Sequence, residues 1–240
     1  MKIIEYNNAK DITVQFMDSY GFIAKHKTWN EFKVGSIINP YFKSVYGIGF
    51  LGSKYPAKIN NKHTLEYILW HSMFVRCYSN TSNEIRPTYD NSYVNNKWHN
   101  YENFYEWIHT QDNFKYFDVS DKCQLDKDIL QKHNKEYSDC KCLLVPQNIN
   151  KLFTRREALR GDYPIGVYKQ DGKYISQCHN PKIGRQEYLG SYVTPEDAFY
   201  EYKKYKENLI KEIALEEYKK HRITEECLEA MNNYIVEITD

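Results

Sequence analysis

Four oxygen- and nitrogen-bearing side chains, Asp126, Asp128, His133 and Asn150, fall within one run, KCQLDKDILQKHNKEYSDCKCLLVPQNINKLF, from Lys122 to Phe153. Carboxylates and amides are hard donors of the kind that magnesium or another divalent cation takes. Such a cation, held over a phosphodiester, stabilises its charge while a base activates water. Asp126, Asp128 and Asn150 are therefore candidate metal ligands, and Lys127 and His133 candidate bases. Lysine serves poorly as a base unless its pKa falls far below about 10.4, which makes His133 the substitute. The competing expectation is that Asp126 and Asp128 only hold a loop while Lys127 reaches a phosphate. Cys123, Cys140 and Cys142 with His133 have the ligand types of zinc, but the paired C-x-x-C elements of a structural zinc site are missing, so none is expected. Cys140 and Cys142, two apart, are expected to share one strand face as small buried hydrophobes.

To work together these residues need a scaffold. The run predicts a strand over 123–125, a polar loop, a second strand over 142–145, and a helix opening after Pro146, where the missing N–H of proline costs nothing. Such a ββα hook sets Asp126 at the end of one strand against Asn150 on the helix. Leu125-Asp126-Lys127-Asp128, Tyr137-Ser138, Cys142 to Pro146 and Ile149-Asn150 together resemble the HNH endonucleases of bacteriophages, above all the homing type. The resemblance implies that Asp126 and Asn150 bind the metal. It also puts Lys127 where the family has its catalytic histidine, and a position near Lys141 where it has the loop asparagine. Upstream, Trp70, Met73, Arg76, Cys77 and Tyr78, then Trp98, Phe104 and Trp107, resemble the stretch preceding the hook in the same phage group.

Beyond the hook, Arg155, Arg156 and Arg160 crowd a short polar segment, a candidate linker able to lie along a DNA backbone. Strand-like runs then cover 165–169, 173–178 and 186–192, with Asp171-Gly172 as a hairpin turn. Thr194-Pro195-Glu196-Asp197 opens a long helix with an N-cap, proline at the first position and acids in the first turn. Its apolar stripe, Ala198, Phe199, Tyr202, Leu209 and Ile213, covers one sheet face and leaves the other free. Gly166-Val167-Tyr168, Gly172-Lys173-Tyr174, Leu189-Gly190 and Thr194 to Ala198 resemble the APETALA-type DNA-binding domain, whose exposed sheet face enters the major groove. The resemblance places Tyr168, Tyr174 and His179 at contact positions where the family has Arg, Trp and Arg. Lys169, Lys173, Lys182 and Arg185 remain for phosphates.

The N-terminal 60 residues read as β-rich: Ile12, Val14 and Phe16 alternate with polar neighbours, and a second extended run covers 22–27. Gly47-Ile48-Gly49 lacks the spacing of a phosphate loop and reads as a structural turn. Thr64 caps a helix to about Tyr78, and a short helix spans 101–109, the two packing apolar faces together. Thr224 caps another to Met231, and Tyr234-Ile235-Val236 reads as an edge strand.

The expected architecture is α+β: a β-rich module over 1–60, an HNH-like domain over 61–153, a basic linker over 154–163, a three-stranded sheet with a helix over 164–220, and a helix and strand over 221–240. A net charge of +1 excludes bulk basicity, so a nucleic-acid surface must be a local patch. No apolar run approaches the roughly 20 residues of a membrane span. That feature, the absent signal peptide and six cysteines without a disulfide framework point to a cytosolic protein of a bacterial host cell. The functional expectation is a double-stranded-DNA binder of the homing-endonuclease type, with a divalent metal, whether or not it cuts. The alternatives are a catalytically inactive regulatory protein and a protein-interaction or virion component.

Overall fold

The computed structural model describes residues 1–79, 91–121, 123–153 and 163–238. Helices make up 35% and strands 26%, in several small sheets, so the chain is a mixed α+β protein. It forms two compact units, Met1–Ile108 and His109–Asp240. Among the described residues no helix is long and apolar enough to cross a membrane.

In the first unit, β1 (Lys2–Asn8), β2 (Asp11–Gln15) and β3 (Ile23–Lys27) form an antiparallel sheet in that order. Ile12 and Val14 of β2 bury completely, and Ala24 and Ile37 complete their cluster. Helix α1 (Trp29–Val34) was not expected. Its signal is nevertheless plain in the sequence: Thr28 and Glu31 make a reciprocal capping box, and Gly35 ends the helix in the left-handed region at φ 69°. After the short pair β4 (Lys58–Ile59) and β5 (Lys62–His63), Thr64 caps α2 (Leu65–Tyr78). Trp70, Met73 and Phe74 of α2 are fully buried, and the Trp70 indole N–H donates to the Trp98 carbonyl at 2.7 Å. After β6 (Tyr93–Val94), α3 (Tyr101–His109) buries Phe104 and Ile108, and the Trp98 and Phe104 rings meet edge to face. The Gly47 cluster is a turn closed by Val45 and Gly49, and a Cβ on Gly49 would stand 2.9 Å from the Phe74 ring.

In the second unit, β7 (Cys123–Asp126) pairs antiparallel with β9 (Leu143–Pro146), and α4 (Gln147–Leu152) follows directly. The loop between them carries the two-residue strand β8 (Glu136–Tyr137). The sheet of β10 (Val167–Gln170), β11 (Lys173–Asn180) and β12 (Arg185–Tyr192) is antiparallel in sequence order. Asp171 and Gly172 turn its first hairpin, both at positive φ, as a two-residue turn requires. Helix α5 (Pro195–Lys219) starts at Thr194, whose side chain accepts from the Asp197 amide. Helix α6 (Glu225–Asn232) is capped in the same way by Thr224.

One apolar core joins these parts. Leu143, Val145, Ile149 and Leu152 of the hook pack in the same cluster as Cys178 of the sheet, Tyr202, Leu209, Ile210 and Ile213 of α5, and Cys227 and Met231 of α6. The expected edge strand at 234–236 does not form. Val236 instead buries in this core, its N–H donates to Glu207 and its carbonyl accepts from Lys203, so its backbone groups are satisfied by side chains rather than by a neighbouring strand. Cys140 likewise leaves the expected strand: it lies exposed in a turn, while Cys142 buries. Replacing Trp70 with Ala empties one of the two largest buried side-chain volumes of the first unit and removes a buried donor. It is expected to cost about 3–5 kcal/mol, measured by urea unfolding followed through tryptophan fluorescence.

Candidate nucleic-acid interface

The hook loop is wired from inside. Asp126 is 7% exposed, and its Oδ1 accepts the amides of Asp128 and Ile129, each at 2.8 Å. Burial pushes its carboxyl above the ordinary 3.8, against the pull of those two amides. Lys127 is 5% exposed; its Nζ donates to both oxygens of Asp128, at 3.0 and 2.8 Å, and to the Asn134 carbonyl. In this arrangement the Lys127 ammonium is engaged within the loop. Asp128 is half exposed. His133 stands exposed in the left-handed region at φ 60°.

Asn134 is the residue that sequence reasoning missed. Its amide N–H groups donate to the carbonyls of Lys127 and Glu136, at 2.9 and 2.8 Å, and its Oδ1 accepts the Glu136 amide. It spans the loop. The available signal was a short polar side chain in a loop, the type that bonds to nearby backbone. Asn150 donates from Nδ2 to Gln124 Oε1. Gln124 and Asp126, two apart on β7, project from the same strand face, so Asn150 lies on the side of β7 that carries Asp126. Among the described residues no group of three His, Cys, Asp or Glu side chains gathers in a metal-holding arrangement. Cys123 buries, and its thiol is pushed up to about 11 by that burial.

The sheet sorts its residues by register, because cross-strand partners share a face. Cys178 joins the core with α5, and the Asn180 amide donates to the Tyr205 hydroxyl at 3.0 Å, so their face is the covered one. Lys169 pairs with Tyr174, and Arg185 with Asn180, on that same side. The Lys169 ammonium lies 5.4 Å from the Tyr174 ring centre. Lys182 is tied to α5 by Glu216 at 2.6 Å and Glu212 at 3.5 Å.

The open face holds Tyr168 opposite Ile175, Gln170 opposite Lys173, Gln177 opposite Tyr188, and His179 opposite Gln186, with Ser191 also opposite Ile175. A bulge between Ser176 and Gln177 leaves Leu189 as the extra residue, and Leu189 packs on the core. Of the expected sheet contacts, Tyr168, Lys173 and His179 thus sit on the open face, and Tyr174, Lys169 and Arg185 on the other. The glutamines, Tyr188 and Ser191 were missed; alternation along each strand would have grouped Gln170 with Tyr168 and Gln177 with His179, whereas Ser191 joins their face only through the bulge. Arg155, Arg156 and Arg160 lie outside the described residues.

No protein-family model matches the chain, nor does any curated protein or any solved structure.

The buried carboxylate gives a signed test. A folded-state pKa above the unfolded value means that the contribution of Asp126 to stability is fully present below about 3.8 and is lost as pH rises through the raised value. Asp126→Asn keeps an acceptor oxygen and cannot ionise. Relative to that variant, the wild type is expected to lose stability as pH climbs above 3.8, read from urea midpoints across a pH series.

Proposed function

We propose that this chain is a double-stranded-DNA-binding protein of the phage HNH and homing-endonuclease type, acting inside a bacterial host cell. Its open sheet face docks in the major groove, and its ββα hook serves as scaffold rather than as cutting machinery. One observation carries the reading: the open face of β10–β12 presents tyrosine, glutamine, histidine, serine and lysine and no carboxylate, since the single acid of these strands, Glu187, pairs with Cys178 on the covered side. A β-sheet of this kind suits groove readout, and an acid-free surface approaches phosphates without repulsion. Scaffold use of the hook fits Lys127, which is inward and paired where the resemblance calls for a base.

Duplex DNA is expected to be retarded in native gels, with log affinity falling linearly against log salt concentration. Lys173→Ala is expected to flatten that slope by about one, with no strand scission in magnesium. Binding that ignores salt, or no binding at all, overturns the reading.

A second reading is favoured by the shared side of Asp126, Gln124 and Asn150: the hook holds a divalent cation. The donor types fit, one buried carboxylate and two amide oxygens, and a cation would offset the burial that raises the Asp126 pKa. When bound, it would supply Lewis-acid stabilisation of a phosphate. Asp126 and Asn150 would hold it, and Asn134 would keep the loop in shape around it. Under this reading magnesium raises Tm in the wild type and leaves Asp126→Asn and Asn150→Ala unmoved, as differential scanning fluorimetry would register.

A further inference from the structure

Three amides stand on the open face of the sheet, those of Gln170, Gln177 and Gln186, and among the described residues none has a hydrogen-bond partner for its side chain. Gln177 and Gln186 are diagonal neighbours across β11 and β12, which sets them about 7–8 Å apart, their Cβ atoms somewhat closer. Bases repeat every 3.4 Å or so along a strand of B-DNA, so the two amides address bases about two steps apart. Each is flanked by a ring: Gln177 faces Tyr188, which is 67% exposed, and Gln186 faces His179. A flanking ring narrows the rotamers of a glutamine and offers apolar surface.

The chemistry of the face selects among bases. Glutamine matches adenine, accepting from N6–H at its oxygen and donating to N7 from its nitrogen. Guanine is matched by arginine or lysine at O6 and N7. Within these strands the only arginine, Arg185, pairs with Asn180 on the covered side, and the one lysine of the open face, Lys173, lies at the far end of β11 from Gln186. A thymine methyl prefers apolar contact, which the Tyr188 ring provides beside Gln177.

We infer that the open face reads adenine in A·T pairs, with Gln177 and Gln186 as the specificity-determining residues and Tyr188 packing on the thymine methyl. This rests on the DNA-binding reading above and narrows it. Both side chains point away from the core, so truncating them removes contacts to DNA and leaves the fold intact.

The test is selection of duplexes from a randomised pool by the full chain at low salt, followed by binding of the recovered sequence with 7-deazaadenine at its enriched positions. The 7-deaza base keeps N6–H and lacks N7, so it deletes half of the glutamine contact. Adenine enrichment at two nearby positions, a loss of about tenfold in affinity on 7-deaza substitution, and a switch of one position to guanine in Gln186→Arg are the expected results. In the double variant Gln177→Ala/Gln186→Ala, shown folded by circular dichroism, the enrichment disappears. Duplex bound without adenine enrichment, or with affinity indifferent to N7 and to both glutamines, overturns the inference and leaves DNA binding standing. A chain that retains no duplex, with circular dichroism showing it folded, overturns both.

Discussion

Helix α5 is the element on which the second unit depends, because it buries apolar residues against two partners at once. Its N-terminal half meets the sheet through Ala198 and Tyr202, and its C-terminal half joins the hook and α6 through Leu209, Ile210 and Ile213. At 25 residues, or about 37 Å at 1.5 Å per residue, it is long enough to serve both. Neither the four-residue strands of the hook nor the three-stranded sheet could bury a core alone, since so small a sheet needs a packing partner. Glu217 fixes the far end. Almost fully buried, it accepts from the Asn148 amide on α4 and from Lys220, and lies 3.6 Å from the Arg222 guanidinium. A buried carboxylate without such partners would be costly.

The hook shows how much of a loop its polar residues can set, alongside the apolar anchor of Ile129 in the core. Asn134 ties the carbonyls of Lys127 and Glu136, Asp126 caps the turn after β7, and Lys127 crosses back to the Asn134 carbonyl. These bonds satisfy backbone groups that a loop under cover would otherwise leave orphaned. The identity of residue 127 decides this: an ammonium only donates, and so seeks carbonyl and carboxylate oxygen.

Much of the architecture was legible in the chain itself. The hook strands, the helix after Pro146, α2, α3 and α5 follow from periodicity and capping residues such as Thr64 and Thr194, which act through bonds to residues three away. What escaped was set by distant partners. Tyr234 to Val236 has the composition of a strand, but no neighbouring strand stands beside it, and its groups are taken by Lys203 and Glu207. Which sheet residues face outward depends on register, and register depends on a bulge that composition does not announce. The contact positions inherited from resemblance mixed two faces, placing Tyr168 with Tyr174 although their side chains project oppositely. The direction of Lys127 was likewise invisible, because its acceptor is a backbone carbonyl seven residues away.

The bulge at Leu189 makes the sheet sensitive to length in an unusual way. Tyr188 and Gly190 already face opposite sides of the sheet, so dropping Leu189 would leave the pairing of both arms as it is, whereas dropping a paired residue of β12 would exchange inside for outside over one arm. Gly190, at φ 147° with the Tyr192 ring where a Cβ would lie, shows how closely that arrangement is fitted. The bulge is thus the one position of β12 where the strand can lose a residue without turning any other side chain over, and a length change at a paired position is what would recompose the open face.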